Sequence, residues 1–298
     1  MLNLFRIIKL ITFHPMNRGG KFAAVLRFFR YQIATRVFKA KLLVEWVNDT
    51  RFLAGKGETG LTGNLYCGFM EYEDMSFLLH YTTQADTFYD IGANVGAYTI
   101  LSSGVNKTKS IAFEPLPSTF DRLIDQIKVN RIEHLVEAKN NGVGSQSGVL
   151  KFTNNLNCMN KVNTDPSNID VTDVEVITLD SYYKPNSPSV VKIDVEGYEK
   201  FVLDGGVNFF SNPNVVALIV ELNGSGLAFD INDLDVYNII KSFGFKAVSY
   251  DPFNRIVTSL NSFNNGGNTI YVKDLDEAQK RVSSSPSVCV HTANDFLL

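Results

Sequence analysis

A short apolar segment that ends in an acid and two glycines constrains this 298-residue chain more than any other stretch. Residues 87–91 (Thr-Phe-Tyr-Asp-Ile) are typical of a buried strand, because β-branched and aromatic side chains pack well on a pleated sheet. Gly92 and Gly96 then allow a tight turn and a close approach of a ligand to the backbone, and residues 98–101 resemble the first turns of a helix. A strand, a glycine turn and a helix N-terminus together predict a nucleotide-binding loop.

The spacing within this loop separates it from the dinucleotide-binding fingerprint. That fingerprint needs Gly-x-Gly-x-x-Gly, which lets a pyrophosphate sit on the helix N-terminus. Here Asp90, Gly92, Asn94 and Gly96 occupy alternate positions instead. The carboxylate of Asp90 would repel a phosphate, so a ligand with a cationic or hydrogen-bond-donating group fits better.

A second acid follows the next strand. Residues 110–113 form an apolar run that ends in Glu114 and Pro115, and Glu114 lies 22 residues after Gly92. Doubly wound α/β folds place an acid here to hold two ribose hydroxyls. The pattern therefore indicates a nucleoside without a phosphate. S-adenosylmethionine meets both demands, since it joins adenosine to an amino acid through a sulfonium.

Four motifs in this order and spacing resemble the FkbM-type S-adenosylmethionine-dependent methyltransferases. They are Asp-Ile-Gly-Ala-Asn-Val-Gly at 90–96, Ala-Phe-Glu-Pro at 112–115, Asn-Gly-Val-Gly at 141–144, and Val-Lys-Ile-Asp-Val-Glu-Gly-Tyr-Glu at 191–199. The resemblance covers roughly residues 61–275. It implies a class I methyltransferase, with a Rossmann-like fold, that usually acts on hydroxyl oxygens of sugars or of polyketide-type products.

The motifs also imply which residues bind S-adenosylmethionine. The methionine portion would be surrounded by Asp90, Gly92, Ala93, Asn94 and Gly96, the ribose would be held by Glu114 beside Pro115, and the adenine would lie along Asn141 or Gly142. Glu73 is a further candidate for the methionine end, with a surface acid as the alternative.

Strand and helix patterns alternate along most of the chain, which predicts an α/β fold with a doubly wound, mostly parallel sheet and helices on both faces. The last two strands predict an antiparallel hairpin at one edge. Strands are predicted at 87–91, 109–113, 134–139, 190–194, 215–221, 245–250 and 268–273, and helices at 71–84, 96–104, 117–130, 197–209 and 233–243.

Three regions are predicted: a basic helical arm at 1–60, the methyltransferase domain at 61–275, and a flexible tail at 276–298. A short strand pair is expected around residues 65–69. Between residues 145 and 189 two strands flank an Asn-rich loop. A mobile surface loop and a substrate lid are the two alternative interpretations of this segment.

Charge is distributed unevenly along the chain. The first 44 residues hold nine basic side chains and no acid, which leaves 19 basic against 31 acidic residues in the remainder. An acidic catalytic domain argues against a nucleic-acid substrate. Apolar residues at helical spacing in residues 1–44 predict basic amphipathic helices that cap the core, with peripheral contact to an anionic inner membrane surface and nucleic-acid contact as alternatives.

Export and membrane insertion are not expected. No run reaches the 18 apolar residues that a spanning helix needs. The three cysteines lie far apart, so they indicate neither a disulfide framework nor a zinc site. The sequence therefore predicts a cytoplasmic protein, with peripheral attachment at the inner membrane face as the alternative.

Methyl transfer to oxygen requires loss of the acceptor proton, and thus a general base or an acidifying metal. Asp194 and Glu196 follow the strand at 190–194, and Glu221 ends the next strand, so a carboxylate base is predicted among these three. Lys192 is expected to point away from them and to be either structural or a salt-bridge partner.

A magnesium site formed by Asp194, Glu221 and Asn223 is an alternative that the residues favour less. Catechol-type methyltransferases hold Mg²⁺ in a similar arrangement, but here one acid is Glu and Leu222 separates it from Asn223.

The leading hypothesis is an O-methyltransferase that acts on a sugar hydroxyl of a glycan or glycan precursor. The alternatives are an N- or O-methyltransferase of a small-molecule secondary metabolite and a binding module that keeps the cofactor fold without turnover. The acceptor and the oligomeric state have no readable signature in the sequence.

Overall fold

The computed structural model describes residues 4–37, 41–55, 59–153, 162–164, 170–182 and 187–298. The strands are β1 (Leu42–Glu45), β2 (Arg51–Ala54), β3 (Thr87–Ile91), β4 (Lys109–Phe113), β5 (Val136–Lys139), β6 (Gly142–Val143), β7 (Gly148–Thr153), β8 (Val171–Ile177), β9 (Ser189–Ile193), β10 (Val215–Leu222), β11 (Lys246–Asp251), β12 (Ile256–Ser259), β13 (Gly267–Val272), β14 (Cys289–Val290) and β15 (Phe296–Leu297). The helices are α1 (Leu4–Phe13), α2 (Lys21–Val37), α3 (Thr59–Cys67), α4 (Tyr72–Tyr81), α5 (Ala97–Thr99, continued by a π-helix at Ile100–Val105), α6 (Pro117–Val129), α7 (Glu199–Asp204), α8 (Val207–Ser211), α9 (Asp233–Ser242) and α10 (Leu275–Ser284).

Eight strands form the central sheet, in the order β12-β11-β13-β10-β9-β3-β4-β5. The five strands from β10 to β5 are parallel, and β13, β11 and β12 add antiparallel pairings at one edge. This is the doubly wound, Rossmann-like class I methyltransferase fold, as the sequence predicts. β9 lies beside β3, so the chain reverses its winding direction between them, and in open α/β sheets ligands bind at the carboxyl ends of strands at such a point.

Hydrophobic cores lie on both faces of the sheet. One contains Phe88 of β3 with side chains of α4, α10 and the N-terminal arm, and the other contains Tyr89 and Ile91 of β3 with side chains from α7, α8 and α9. Alternate residues of one strand enter opposite cores, because successive side chains of a strand point to opposite faces.

Several sequence predictions are wrong in detail. The strand pair expected around residues 65–69 is replaced by helix α3, which ends at Cys67. The helix expected at 197–209 is divided into α7 and α8 at Gly205 and Gly206, where a Cβ on Gly205 would lie 1.9 Å from the carbonyl oxygen of Gly144.

The region 276–298, expected as a flexible tail, is packed against the domain. Ala278 and Val282 of α10 are buried, and Arg281 pairs with the buried carboxylate of Asp86 at 2.9 Å. Val290 is also buried and forms a bridge with Val47. These contacts are long-range, so local sequence patterns gave no sign of them.

The predicted helices of the N-terminal arm are present and pack on the core. The ring of Phe28 on α2 lies 4.9 Å from that of Tyr66 on α3, and the side-chain amide of Asn17 donates to the backbone carbonyls of Ile11 and Tyr66. Across the described residues, no helix has both the length and the apolar composition needed to cross a bilayer.

The two strands predicted around the Asn-rich loop are β7 and β8, which pair in a small three-stranded sheet with β6. Phe152 of β7 also bridges Val162. Most of the Asn-rich loop, and with it the predicted substrate lid, lies outside the described residues.

Candidate active site

The glycine loop after β3 turns sharply against the neighbouring strand. Gly92 has a φ of 81°, and a Cβ there would lie 1.8 Å from the carbonyl oxygen of Asp194, so only glycine fits. The N–H groups of Gly92 and Ala93 both donate to the carbonyl of Phe113 at the end of β4. Gly96 has a φ of 86° and precedes α5, packed against Leu123. Gly92 therefore fixes how closely β3 and β9 approach at their carboxyl ends.

Glu114 lies buried beside this loop. Its two carboxylate oxygens accept the backbone N–H groups of Asn94 at 2.9 Å and of Leu116 at 3.1 Å. Burial raises its pKa to about 7, against the lowering effect of those two N–H donors. Each oxygen keeps a further lone pair, so the carboxylate can still accept hydrogen bonds from a ligand.

Lys192 is the cation at the centre of the site. It lies on β9 directly beside Asp90 of β3, and its Nζ donates to Oδ2 of Asp194 at 2.6 Å and lies 4.8 Å from the centre of the Tyr98 ring. Burial opposes the charge on Lys192, but the carboxylates of Asp194, Glu71 and Asp90 hold its pKa above the ordinary value.

The expectation that Lys192 points away from Asp194 is wrong. Residues 192 and 194 are two positions apart on a strand, so their side chains share one face. Lys192 is a salt-bridge partner as predicted, but it lies inside the cavity wall.

Asp90, at the tip of β3, is fully buried and accepts a hydrogen bond from the hydroxyl of Thr99 at 2.6 Å. Burial raises its pKa, and the nearby Lys192 opposes this increase. Asp90 therefore joins the start of α5 to the cation on β9.

Three carboxylates meet where β9 and β10 end. Asp194, Glu196 and Glu221 each offer one oxygen, and these oxygens lie within 4.8 Å of one another. Burial opposes ionisation of Asp194, but Lys192 and a hydrogen bond from Glu221 keep its pKa below the ordinary value. Burial and the charge of Asp194 raise the pKa of Glu221. The two pKa values are thus moved in opposite directions, so Asp194 is the stronger acid of the pair and Glu221 the weaker.

The geometry of this cluster depends on strained backbone. Glu196 has a φ of 53° and Gly197 a φ of 100°, and a Cβ on Gly197 would lie 2.6 Å from the backbone of Ser225. Glu199 stabilises the turn, because its carboxylate accepts the N–H groups of Val195 and Gly197.

A polar group that the sequence did not single out completes the wall. Glu71 accepts hydrogen bonds from the Tyr98 hydroxyl at 2.7 Å and from the Asn268 amide at 2.9 Å. Burial and the charge of Glu71 raise the pKa of nearby Asp74 to about 7. No sequence motif marks Glu71, because β13 and α5 bring Asn268 and Tyr98 to it only in the folded chain.

These groups line one cavity of about 280 Å³. Most of the predicted site residues lie on its wall: Asp90, Gly92, Ala93, Asn94, Glu114, Pro115, Asn141, Gly142, Asp194, Glu196 and Glu221. Asn64, Met70, Glu71 and Met75 close the side formed by α3 and α4, and Phe152 and Tyr198 add aromatic surface.

Three predicted residues lie elsewhere. Glu73 is exposed and Glu71, two residues earlier, lines the cavity in its place. Gly96 starts α5 behind the cavity wall. Asn223 is exposed and is not among the residues that line the cavity, and its side-chain oxygen accepts the N–H of Ser225.

Comparison with known proteins agrees with this geometry. Residues 90–247, more than half of the chain, match the family model described as the methyltransferase FkbM domain. The chain belongs to the FkbM methyltransferase family. It is therefore an S-adenosylmethionine-dependent methyltransferase, and the glycine loop of β3 and the buried Glu114 fit that cofactor.

A curated relative and two solved structures are similar to this FkbM chain. Hexuronic acid methyltransferase AglP from Haloferax volcanii is 32% identical over 169 residues, which are 55% of this chain and 67% of AglP. SMU.1697c from Streptococcus mutans, solved in complex with SAH, is 14% identical, with a TM-score of 0.40 over 67% of this chain and 94% of its own. P. horikoshii TYW2, solved with MeSAdo, is 13% identical, with a TM-score of 0.39 over 82% of each chain.

Proposed function

We propose that this protein methylates a hydroxyl oxygen of a sugar in a glycan or glycan precursor, with Asp194 as the proton acceptor. The observation that carries the proposal is the set of three carboxylates on the cavity wall, in which the Lys192 ammonium lies 2.6 Å from Asp194 and favours its ionised form, while burial and the charge of Asp194 raise the pKa of Glu221. The similarity to a hexuronic acid methyltransferase supports a sugar acceptor.

The charge state of the pair suits an alcohol. S-adenosylmethionine supplies an electrophilic methyl group, and an alcohol oxygen becomes strongly acidic as its new bond to carbon forms. A carboxylate with a depressed pKa is then basic enough to accept the hydroxyl proton, and before the reaction it can orient the hydroxyl by a hydrogen bond. A neutral amine needs no such base in order to attack the methyl group. The presence of a carboxylate base therefore favours oxygen over nitrogen as the methyl acceptor.

The remaining residues have roles that follow from their positions. Glu221 donates a hydrogen bond to Asp194 and so fixes the direction of its lone pairs. Glu196 presents a third carboxylate oxygen, which can accept a hydrogen bond from a hydroxyl group of a polyol. We expect Glu114 to hold the ribose of the cofactor and Asp90 to face its methionine portion.

A metal-assisted reaction is the competing mechanism, because three carboxylate oxygens within 4.8 Å resemble a site for a hard cation. The ion pair between Lys192 and Asp194 favours the metal-free mechanism, because a cation of the chain already lies on one of the three carboxylates. We expect activity to be unchanged by EDTA, and an activity that EDTA removes and Mg²⁺ restores would replace this mechanism.

The acceptor is tested by a screen of nucleotide sugars and lipid-linked sugars, neutral and uronic, with a radiolabelled methyl donor. Transfer to a sugar hydroxyl, located by mass spectrometry of the product, is the expected result. Methylation of amines or of non-sugar alcohols only would reject the sugar assignment.

Two substitutions test the assignment of the base. Asp194→Asn is expected to lower kcat by about 10²–10⁴-fold with cofactor affinity retained in calorimetry. Glu221→Gln keeps a hydrogen-bond donor toward Asp194, so it should lose far less, on the order of tenfold or below. If Glu221→Gln were the more damaging change, the base would be Glu221 and the proposed roles would be reversed.

A further inference from the structure

The N-terminal arm has a surface that the methyltransferase site does not use. On α2, Ala24, Phe28, Tyr31 and Thr35 are buried at intervals of four, three and four residues and face α3 and the core. A second apolar row, Phe22, Leu26, Phe29, Ile33 and Val37, follows similar intervals and is exposed. At about 100° per residue the two rows lie on opposite sides of the helix.

We call the second row, with the basic residues beside it, the outer face of α2. Its apolar side chains are large and accessible: Phe22 is 77% exposed, Ile33 is 61% and Val37 is 65%. Apolar residues scattered singly over a surface need no explanation, but five in one row form a continuous patch, which is typical of a docking surface.

Basic side chains border this patch. Arg30 and Arg36 are exposed on either side of the row, and Lys21 at its start lies with Nζ 5.2 Å from the centre of the Phe13 ring of α1. That contact joins the outer face to the exposed side of α1, which carries Arg6 and Lys9. Residues 1–44 contain no acid at all.

The combination of an apolar row and cationic borders indicates which kind of partner fits this surface. An acidic protein would satisfy the arginines but not bury the row, and a second copy of the same face would bring like charges together. An anionic bilayer satisfies both, because apolar side chains enter the headgroup region while lysine and arginine stay among the phosphates. We propose that the outer face of α2 binds the surface of an anionic lipid membrane.

The position of α2 links this surface to the active site. Its inner face contacts Tyr66 of α3, through the ring of Phe28 and a 2.6 Å hydrogen bond from Gln32 to the Tyr66 hydroxyl. Asn64, two residues earlier on α3, lines the catalytic cavity. Membrane attachment would thus hold the cavity near the lipid surface, with α2 and α3 between them. That a lipid-linked acceptor benefits from this rests on the proposed function, whereas the attachment itself does not.

Vesicle co-sedimentation of the full chain tests the attachment without any acceptor. We expect binding to vesicles that contain phosphatidylglycerol, little binding to phosphatidylcholine alone, and weaker binding as salt rises. Phe22→Ser with Ile33→Ser should lower the partition coefficient by about tenfold or more for each side chain. Arg30→Gln with Arg36→Gln should lower it about fivefold for each charge removed.

The double variant Leu234→Ser with Lys241→Gln is the matched control, because it changes an exposed leucine and an exposed lysine on α9, at the opposite face of the sheet. It should bind vesicles as the wild type does. Circular dichroism and cofactor calorimetry on each variant show whether the fold is retained.

Three results would overturn the proposal. The first is failure of the wild type to bind anionic vesicles, and the second is equal binding by the outer-face variants and the control. The third is a wild-type dimer in light scattering that the Phe22 and Ile33 substitutions dissociate, since the face would then join two copies of the chain. If the outer-face variants lose vesicle binding but still methylate soluble sugars, membrane attachment is supported and the proposed function is unaffected.

Discussion

Glu114 is expected to make the stability of the cofactor-free enzyme depend on pH. Glu114 is 6% exposed, and burial raises its pKa to about 7 from an ordinary value of 4.5. Between these two pKa values the folded protein keeps a proton that the unfolded chain has released. The stabilisation is therefore fully present below the unfolded pKa and is lost as the pH rises through the folded one.

The difference between the two pKa values corresponds to about 3 kcal/mol of unfolding free energy. Glu114→Gln removes this titration, but the amide cannot accept both the Asn94 and the Leu116 N–H groups, which costs on the order of 1 kcal/mol. That cost is the same at every pH. It cancels when the melting temperature of each protein at high pH is compared with its own value at low pH.

Thermal unfolding of the free proteins at about pH 5 and about pH 8 measures the effect. Between the lower and the higher pH, the melting temperature of the wild type should fall by about 5–10 °C more than that of Glu114→Gln. The buried acids Asp74 and Glu199 remain in both proteins, so their contributions cancel. Glu133→Gln, which removes an exposed carboxylate, is the matched control. An identical loss in wild type and Glu114→Gln would refute the reasoning.

Three further changes test how the site and its surroundings are held. Gly92→Ala should destabilise the protein by on the order of 3 kcal/mol and abolish cofactor binding in calorimetry, whereas Gly148→Ala, with no atom within 4 Å of the added Cβ, should be tolerated. Lys192→Met leaves several buried carboxylates without their cation, so chemical denaturation should show a loss of about 3–5 kcal/mol that lessens at low pH. Arg281→Met should cost about 3 kcal/mol, because it leaves the buried carboxylate of Asp86 without its cationic partner, and an unchanged denaturation midpoint would contradict the packing of α10.

The sequence predicts the position of a residue wherever one strand and the turn after it determine that position. Asp90, Gly92 and Asn94 were recognisable because the polar and glycine positions of a βα turn have fixed spacing. Glu114 was recognisable because it ends the next parallel strand. Parallel strands carry their carboxyl ends to one edge, so these residues had to meet there.

Other features were not predictable, since they depend on which distant segments come together. Glu71 lines the cavity where Glu73 was expected, because Glu71, the residue just before α4, hydrogen-bonds to Tyr98 and Asn268. The packing of α10 depends on the pair between Arg281 and Asp86, nearly two hundred positions apart in sequence. The strand expected around residues 65–69 became a helix, because its apolar side chains pack against α2 in a pattern that a short window cannot distinguish from a strand.

The sequence by itself determined the family, the class I fold and the kind of cofactor, because these depend on local motifs in a fixed order. It also placed Asp194, Glu196 and Glu221 near one another. Only the tertiary structure decided their charges. Lys192, on β9 beside Asp90 of β3, favours the ionised form of Asp194, while burial and the charge of Asp194 raise the pKa of Glu221. The roles proposed for the three carboxylates rest on distances and burial, and neither is written in the order of residues along the chain.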